Sequence, residues 1–571
     1  MTERGIGKGL TQYGDRGFSR FLRSAFIKSQ GFSEAELERP IVGVFNTYSE
    51  LNSCHRGFRE LADAVRRGVL EAGGLPVEIP TISLGEPYLH PTSMLFRNLM
   101  AVDTEEMIRA QPLDAVVLMG GCDKTVPAQL MGAASAGVPA VALVAGPMMT
   151  GSFEGERLGA CTDCRRLWGE YRGGRIGEEA IRRIEGQLMP TAGTCMVMGT
   201  ASTMACVAEA LGMMVPGGAS APAAFADRLR LGAQSGAAAV RLVESGLTPA
   251  RIMTVPAFEN AVRVLLAIGG STNGMIHLTA IAGRLGIALD PALFDRLSEE
   301  TPLLVNLKPS GAHYMEDFHK AGGMRVVLQE LRPKLHLDCL TVTGGTLGAW
   351  LAGGYAHPAW QDVIYPAARP LQAKGGLAVL RGNLCPDGAV LKRSAASPRL
   401  MKHAGRAVVF SGLDDLAERV DDERLDVAAD DILVLQNAGP VGAPGMPESG
   451  YLPIPKKLAR QGVKDMVRIS DARMSGTAFG TVVLHVSPEA AVGGLLGLVR
   501  TGDRIELDVD ARRLELMVEP AELERRRAAW TPPPQRGEGR GYLRLHLEQV
   551  EQSHLGCDLK FLRPPTRVTL K

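Results

Sequence analysis

The sequence predicts an α/β protein with a large N-terminal domain, built on a mainly parallel sheet flanked by helices, and a smaller, β-rich, barrel-like C-terminal domain. Two observations support this prediction. Apolar strand-like runs alternate with helical segments between residues 40 and 145, whereas short β-runs separated by turn residues fill the chain beyond residue 374. We therefore predict domains at 1–373 and 374–571.

The N-terminal domain begins its sheet after a predicted helix at 19–29. Buried strands are predicted from the apolar runs at 40–45, 77–82, 115–119 and 138–145. The segment 58–72 between the first two strands has helical spacing and ends at a pair of glycines. Strands connected through helices run parallel and have both faces covered. Because ligands bind beyond the carboxyl ends of such strands, we expect the functional site in the loops that follow them.

The C-terminal domain is predicted from seven short β-runs. They lie at 377–380, 407–410, 432–435, 466–469, 482–485, 504–509 and 514–518. Many short strands separated by turn residues are typical of a barrel or a sandwich. The segment 220–370 before them is predicted to be mainly helical.

Composition and charge exclude several classes of protein. The formal net charge of +1 over 571 residues provides no field that would attract nucleic acid or a membrane surface. The longest apolar runs are far shorter than a membrane-spanning helix, and the first ten residues lack an apolar signal core. Nine scattered cysteines, an odd number, indicate free or metal-bound thiols in a reducing compartment. We therefore expect a cytoplasmic protein.

The strongest candidate site is the loop after the third predicted strand, Gly120-Gly121-Cys122-Asp123-Lys124. It places a thiol, a carboxylate and an amine side by side. A thiolate is a soft ligand and a carboxylate is a hard one, so the two neighbours could hold two different metals. The alternative is an ordinary loop with a buried cysteine and a surface Asp-Lys pair, and the loop alone does not decide between them.

Other cysteines are candidate functional thiols, and the evidence is stronger for some of them than for others. Cys54 follows the first predicted strand, and Cys195 lies at a loop-to-helix junction, where the helix dipole favours a thiolate. Cys161 and Cys164 form a lone C-x-x-C motif, which is a weak signal, and we interpret them as two ordinary thiols. The glycine pair at 269–270 fits neither a P-loop nor a dinucleotide fingerprint, so we do not expect nucleotide binding.

Three motifs together resemble the dihydroxy-acid and sugar-acid dehydratase family. They are Cys122-Asp123-Lys124-x-x-Pro127, the Pro-Gly-Met-Pro-Glu loop at 444–448, and Asp471-Ala472-Arg473-Met474-Ser475-Gly476. The resemblance covers nearly the whole chain, and its motifs lie far apart. It implies a hydro-lyase that converts a 2,3-dihydroxy acid to a 2-oxo acid with the help of an iron–sulfur cluster and Mg²⁺.

The cysteine pattern is similar to the sugar-acid branch of this family, which includes arabinonate and xylonate dehydratases. Cys54, Cys122 and Cys195 match its three cluster ligands, and Met-Gly-Thr-Ala-Ser-Thr-Met follows the third cysteine. The resemblance implies a [2Fe–2S] cluster on these thiols, with an open coordination position on one iron. A [4Fe–4S] cluster is the alternative.

The resemblance also implies a magnesium site. Glu86, Asp123 and Glu448 match its carboxylate ligands, and oxygen is the ligand atom that Mg²⁺ prefers. The lysine that corresponds to Lys124 is carbamylated in the family, which would make it a further oxygen ligand. The strand-end positions of Glu86 and Asp123 agree with this assignment.

The proposed base of the family corresponds to Ser475, which would act as an alkoxide near the cluster. Uncarbamylated Lys124 is the next candidate for the base. The resemblance makes Thr477 a substrate contact, whereas Arg473 is expected to brace the loop.

The leading hypothesis is a dehydratase that converts a sugar acid, such as L-arabinonate, D-xylonate or D-gluconate, to its 2-keto-3-deoxy acid. One alternative is a dihydroxy-acid dehydratase of branched-chain amino acid synthesis, which acts on 2,3-dihydroxyisovalerate. More remote alternatives are a racemase that needs only Mg²⁺ and a catalytically inactive binding protein. The resemblance implies a homodimer or a homotetramer.

Overall fold

The computed structural model describes residues 4–353, 355–534 and 539–571. Its strands are β1 (Ile41–Asn46), β2 (Leu75–Pro80), β3 (Ala115–Gly120), β4 (Ala140–Val144), β5 (Gly151–Phe153), β6 (Glu156–Leu158), β7 (Ile287–Leu289), β8 (Ala378–Leu380), β9 (Gly388–Leu391), β10 (Lys402–Phe410), β11 (Ile432–Leu435), β12 (Arg468–Ser470), β13 (Val482–Ser487), β14 (Arg504–Asp508), β15 (Arg513–Leu516) and β16 (Val568–Leu570).

The helices are most frequent in the first two thirds of the chain. They are α1 (Arg16–Lys28), α2 (Glu34–Leu37), α3 (Phe58–Glu71), α4 (Ser93–Ala110), α5 (Thr125–Ala136), α6 (Thr162–Arg172), α7 (Glu178–Glu185), α8 (Thr200–Ala210), α9 (Ala226–Ser245), α10 (Pro249–Ile252), α11 (Val255–Ala267), α12 (Asn273–Arg284), α13 (Pro291–Glu300), α14 (Met315–Lys320), α15 (Gly323–Leu331), α16 (Leu347–Trp350), α17 (Leu413–Arg419), α18 (Lys456–Arg460), α19 (Pro520–Ala529) and α20 (Gly541–Gln549).

The N-terminal sheet has the order β2–β1–β3–β4, and all of its strands run parallel. Every residue of β1, β3 and β4 is buried, as expected for strands covered on both faces. Helix α3 joins β1 to β2 and lies close against α9: a Cβ on Gly68 would lie 1.9 Å from the carbonyl oxygen of Ala233. The predicted parallel sheet is confirmed, and the carboxyl ends of its strands form one edge.

The second large sheet has the order β15–β14–β10–β11–β12–β13–β9–β8. Its central strands β10 to β13 run parallel, and the flanking strands pair antiparallel. The two outer strands meet where the Leu514 amide donates to the carbonyl oxygen of Arg381 at 2.9 Å, so the sheet closes into a barrel. The predicted barrel-like domain is confirmed, although the sequence analysis missed the short strand β9.

Two apolar layers cover the barrel strands. In β11, Ile432 and Val434 belong to one buried cluster, whereas Leu433 and Leu435 belong to a second cluster that includes Leu416 of α17. The alternation follows from the two-residue period of a strand. The core of the N-terminal sheet continues into β13, and β16 at the end of the chain pairs with β7. The boundary after residue 373 stays a prediction.

None of the helices that the structure describes is both long enough and apolar enough to cross a membrane.

Candidate active site

The loop between β3 and α5 presents Cys122, Asp123 and Lys124 at the carboxyl end of the sheet. The Thr125 hydroxyl closes this loop, because it donates to the Cys122 carbonyl oxygen and accepts from the Gly121 amide, both at 2.8 Å. A Cβ on Gly121 would lie 2.7 Å from the Cβ of Ala145, so this position requires glycine. The local fold therefore explains why two glycines precede the three functional groups.

The three predicted carboxylate ligands converge on the amine of Lys124. The Nζ atom lies 3.0 Å from Glu86 Oε2, 3.4 Å from Asp123 Oδ2 and 3.7 Å from Glu448 Oε1. The lysine side chain is 0% exposed. Glu86 follows β2, and Glu448 begins a short 3₁₀ helix after β11, so loops from both large sheets build this group.

Arg473 is a second buried cation in the same group. Its guanidinium contacts Glu448 Oε1 at 2.6 Å and Glu86 Oε1 at 3.5 Å, and it donates to Thr92 Oγ1 at 2.9 Å. Its loop follows β12, and Ser475 lies two residues further along the same loop. Arg473 therefore joins the loop of Ser475 to the carboxylate group.

Burial and neighbouring charges shift the pKa values of Asp123 and Glu86 in opposite directions. Burial raises the pKa of Asp123 to about 6, although Lys124 opposes the shift. Burial acts in the same direction on Glu86, but the charges of Lys124 and Arg473 outweigh it and lower the pKa of Glu86 to about 2. Burial lowers the pKa of Lys124, yet the surrounding carboxylates raise it overall. Asp123 therefore takes up a proton more readily than Glu86 does.

The chemistry of the donor set suits a hard divalent cation, since its three carboxylates offer oxygen ligands and surround one buried positive charge. Within the described residues, no group of three or more His, Cys, Asp or Glu side chains is arranged to hold a metal ion. The amine of Lys124 lies within 3.7 Å of an oxygen of each of the three carboxylates. Carbamylation of the amine would replace this positive charge with a further oxygen ligand.

The three predicted cluster thiols lie on three loops at this edge. The Cys122 thiol, together with burial, raises the pKa of Cys54, so the two side chains interact. The Cys161 thiol and burial raise the pKa of Cys195, and the charge of Cys54 adds to this shift. All of these cysteines are free. The grouping fits a cluster with soft thiolate ligands, and it also brings in Cys161, which we had interpreted as an ordinary thiol.

Ser475 and Thr477 form a buried hydroxyl pair. Ser475 Oγ lies 2.8 Å from Thr477 Oγ1, and Ser475 is only 8% exposed. The Thr477 carbonyl oxygen accepts from Thr162 Oγ1 at 2.9 Å, which connects this loop to the start of α6. A Cβ on Gly476 would lie 2.7 Å from the side chain of Ser271, so the loop packs directly against the segment 269–273.

Sequence reasoning missed His55, which positions the Cys122 loop. Its Nε2 atom accepts from the Cys122 amide at 3.0 Å, and its Nδ1 atom donates to the Thr47 carbonyl oxygen at 2.8 Å. Burial lowers the pKa of His55 to about 4, which keeps the ring neutral. Its position beside Cys54, at the end of a strand, was the available signal.

Asn273 and Lys392 support the Ser475 loop and were also missed. Asn273 Nδ2 donates to the Met474 carbonyl oxygen at 3.2 Å and to Thr200 Oγ1 at 3.1 Å. Lys392 Nζ donates to the Gly476 carbonyl oxygen at 3.4 Å, and burial lowers the pKa of this lysine to about 7. The segment of Asn273 drew attention only as a nucleotide motif, whereas no sequence signal identifies Lys392.

Several buried polar atoms near this site have no hydrogen-bond partner within the described residues. Most buried polar atoms in proteins are satisfied, so such a set provides groups that a polar ligand could satisfy. Arg473 contributes to the low pKa of both histidines in the set, which places them near the carboxylate group, although burial is the larger cause. The atoms are Thr272 Oγ1, Asn273 Oδ1, His277 Nε2, Ser449 Oγ and His485 Nε2.

Two family models match this chain. The model described as the N-terminal part of dihydroxy-acid/6-phosphogluconate dehydratases matches residues 39–350. The model described as the C-terminal part of the same enzymes matches residues 362–557. Together they cover most of the chain, including the three loops that carry Glu86, Asp123 and Glu448.

Full-length relatives carry dehydratase names. An L-arabonate dehydratase from Azospirillum brasilense is 50% identical over 560 residues, which cover 96% of each chain. A 6-deoxy-6-sulfo-D-gluconate dehydratase from Pseudomonas putida is 47% identical over 533 residues, covering 93% of this chain and 92% of the relative. A dihydroxy-acid dehydratase from Methanothrix thermoacetophila is 40% identical over 556 residues, which cover 95% of this chain and 98% of the relative.

These matches confirm the resemblance drawn from the motifs. Dehydratases remove water by cleaving a carbon–oxygen bond, so the reaction class follows from the family. The chain is a hydro-lyase that belongs to the dihydroxy-acid/6-phosphogluconate dehydratase family.

Proposed function

We propose that this enzyme converts a sugar acid, a pentonate or hexonate such as L-arabinonate, D-xylonate or D-gluconate, to its 2-keto-3-deoxy acid. The observation that carries the proposal is the convergence of Glu86, Asp123 and Glu448 on Lys124, joined through Arg473 to the loop of Ser475. The names of the two sugar-acid relatives support the choice of substrate.

The proposed cofactors are an iron–sulfur cluster and Mg²⁺. Cys54, Cys122 and Cys195 would hold the cluster, for which we prefer the [2Fe–2S] type over [4Fe–4S]. The carboxylate group, with Lys124 as a carbamate, would hold Mg²⁺. When bound, the two groups would supply Lewis acidity towards the C3 hydroxyl and towards the carboxylate end of the substrate.

Ser475 is the proposed base that removes the proton from C2. The C2–H bond and the C3–O bond both break, the hydroxyl leaves as water, and the resulting enol takes a proton at C3 to become the keto acid. A serine hydroxyl is a weak base, so its deprotonated form needs stabilisation. Thr477 Oγ1, at 2.8 Å, can donate to the oxygen of Ser475. The amine of Lys392, next to Gly476, adds positive charge on the same side.

The polarity of the surroundings supports a polyhydroxy substrate over 2,3-dihydroxyisovalerate. The unpartnered buried atoms of Asn273, His277 and His485 are suited to hydrogen bonds with hydroxyl groups. An isovalerate chain would leave these groups unsatisfied, and a site built for hydroxyl groups discriminates strongly against an analogue that lacks them.

A side-by-side activity assay tests the choice of substrate. Anaerobically purified enzyme with Mg²⁺ would be incubated with L-arabinonate, D-xylonate, D-gluconate and 2,3-dihydroxyisovalerate, and formation of the 2-oxo acid would be measured for each. We expect at least one sugar acid to be turned over with a higher kcat/KM than dihydroxyisovalerate. Turnover of dihydroxyisovalerate alone would contradict the proposal and support the branched-chain alternative.

A further inference from the structure

The thiols of Cys161, Cys164 and Cys195 pack against one buried apolar cluster that includes Met196 and Tyr314, and Cys195 is one of the proposed cluster ligands. The Cys161 side chain interacts with both of the others. We propose that Cys161 and Cys164 form a reversible disulfide and are a redox modification site of this enzyme, separate from the cluster ligands. From the sequence alone, this C-x-x-C motif indicates two ordinary thiols.

The position of the pair at the start of a helix suits disulfide formation. Cys161 is the N-cap residue of α6, and Cys164 is the third residue of its first turn. Residues three apart in a helix have Cα atoms about 5 Å apart, which lies within the range of about 4.4–6.8 Å that disulfides span. Asp163 accepts from the Gly159 amide at 2.8 Å and from Lys308 at 3.0 Å, and these contacts hold the helix start in place.

The pair is partly exposed, as are Cys54, Cys195 and Cys339. Cys161 and Cys164 are partly exposed and line a cavity of about 440 Å³ together with Leu167, Trp168 and Leu188. Trp168 is 53% exposed at the cavity wall. Cys206, Cys385 and Cys557, in contrast, are buried. A small oxidant can therefore enter through the cavity and reach the pair.

A hydroperoxide is the class of oxidant that this arrangement suits. The sulfur of Cys161 attacks one oxygen of the peroxide, the O–O bond breaks, and the sulfur becomes a sulfenic acid while the other oxygen leaves as an alcohol, or as water when the oxidant is hydrogen peroxide. The Cys164 thiol then attacks this sulfur, so that the S–S bond forms and the oxygen leaves as water. A dithiol reductant restores both thiols by exchange and is itself oxidised to a disulfide.

Cys164 also protects Cys195, and this part rests on the proposed function, in which Cys195 is a cluster ligand. Cys161 interacts with both thiols, and all three pack against the same apolar cluster, so its sulfenic acid has two potential reaction partners. Reaction with Cys164 leaves the cluster ligands intact. Reaction with Cys195 would remove a ligand and release iron.

Trapping of thiols and mass spectrometry test the disulfide. Full-length enzyme, purified anaerobically, would receive one equivalent of hydrogen peroxide, be alkylated with N-ethylmaleimide and be digested for peptide mapping. We expect a Cys161–Cys164 disulfide that dithiothreitol reverses, while Cys339, another partly exposed cysteine, is still alkylated. Independent sulfinic acids on the two cysteines, or a Cys161–Cys195 disulfide, would overturn the proposal.

The variant Cys164→Ser tests the protective role, with Cys339→Ser as its matched control. Iron content would be measured after the peroxide dose that converts the wild-type pair to the disulfide. We expect the wild type and Cys339→Ser to keep their iron and Cys164→Ser to lose most of it. Equal iron retention in all three proteins, or equal loss, would contradict protection by Cys164. Protein without iron before treatment would argue against the proposed cluster, but the peptide map would still report on the disulfide.

Discussion

Replacement of Lys392 by methionine offers a quantitative test of the electrostatics of the Ser475 loop. The lysine follows β9, is 1% exposed, and donates to the Gly476 carbonyl oxygen at 3.4 Å. Methionine has a similar length and no charge. The variant Lys392→Met therefore removes a buried positive charge while it largely conserves packing.

The size of the effect follows from the pKa. Burial lowers the pKa of Lys392 from 10.5 to about 7. One pKa unit corresponds to about 1.4 kcal/mol, so the charged amine lowers the free energy of unfolding by about 5 kcal/mol. Because the folded-state pKa is depressed, the unfolded chain binds more protons between pH 7 and 10.5, and the stability of the wild type rises with pH across this window. The loss of stability has its full size below about pH 7, and it is absent above about pH 10.5.

Calorimetric Tm values of the two proteins at pH 6 and pH 9 would test this reasoning. We expect Lys392→Met to raise Tm at pH 6 and to raise it less at pH 9. Lys402→Met removes a lysine that is 84% exposed and should change Tm little at either pH. An equal gain at both pH values, or a lower Tm at pH 6, would refute the argument. We also expect Lys392→Met to lose turnover, because the amine favours deprotonation of Ser475.

Three further predictions concern the proposed site. Ser475→Ala should keep iron, Mg²⁺ and substrate affinity but lose turnover by several orders of magnitude, together with exchange of the C2 hydrogen with solvent; exchange at the wild-type rate would exclude this base and make Lys124 the next candidate. Serine variants of the three cluster thiols should each lose iron, measured by metal analysis, whereas Cys339→Ser should keep it. Full iron content in the Cys54 variant would remove that ligand and revive the [4Fe–4S] alternative. Amide variants of the carboxylate group should weaken Mg²⁺ binding, measured as Mg²⁺ dependence of turnover, and leave the visible absorption of the cluster nearly intact, since the two sets of ligands differ in hardness. Unchanged Mg²⁺ dependence in all of them would reject the assignment. The variants are Cys54→Ser, Cys122→Ser, Cys195→Ser, Glu86→Gln, Asp123→Asn and Glu448→Gln.

The fold could be predicted because its strands carry strong local signals. The strands β1, β3 and β4 are continuous apolar runs, as strands covered on both faces must be. The short strand β9 was missed, because four residues that begin with a glycine offer neither alternation nor a long run. Closure of the barrel between Arg381 and Leu514 could not be predicted from local sequence patterns either, because it joins residues that are far apart in the sequence.

The site could be predicted only where a motif marks it. The loops of Asp123 and Glu448 carry distinctive motifs, and the structure brings them to the same amine. Asn273 and Lys392 act through contacts with distant loops, which leave no trace in neighbouring residues. For His55 the only local signal was its position beside Cys54 at the end of a strand. The proximity of Cys161 to Cys195 belongs to the same class, because two separate loops create it.

Proton NMR of the reaction in D₂O tests the central claim, dehydration of a sugar acid, most directly. Anaerobically purified enzyme with Mg²⁺ would be followed while it acts on the sugar acid that the assay identifies. Removal of the C2 proton, loss of the C3 hydroxyl and protonation of the enol at C3 predict a 2-keto-3-deoxy acid that carries one deuterium at C3. A sugar acid that is only epimerised at C2, with deuterium at that carbon and no keto acid formed, would contradict the account and support a racemase.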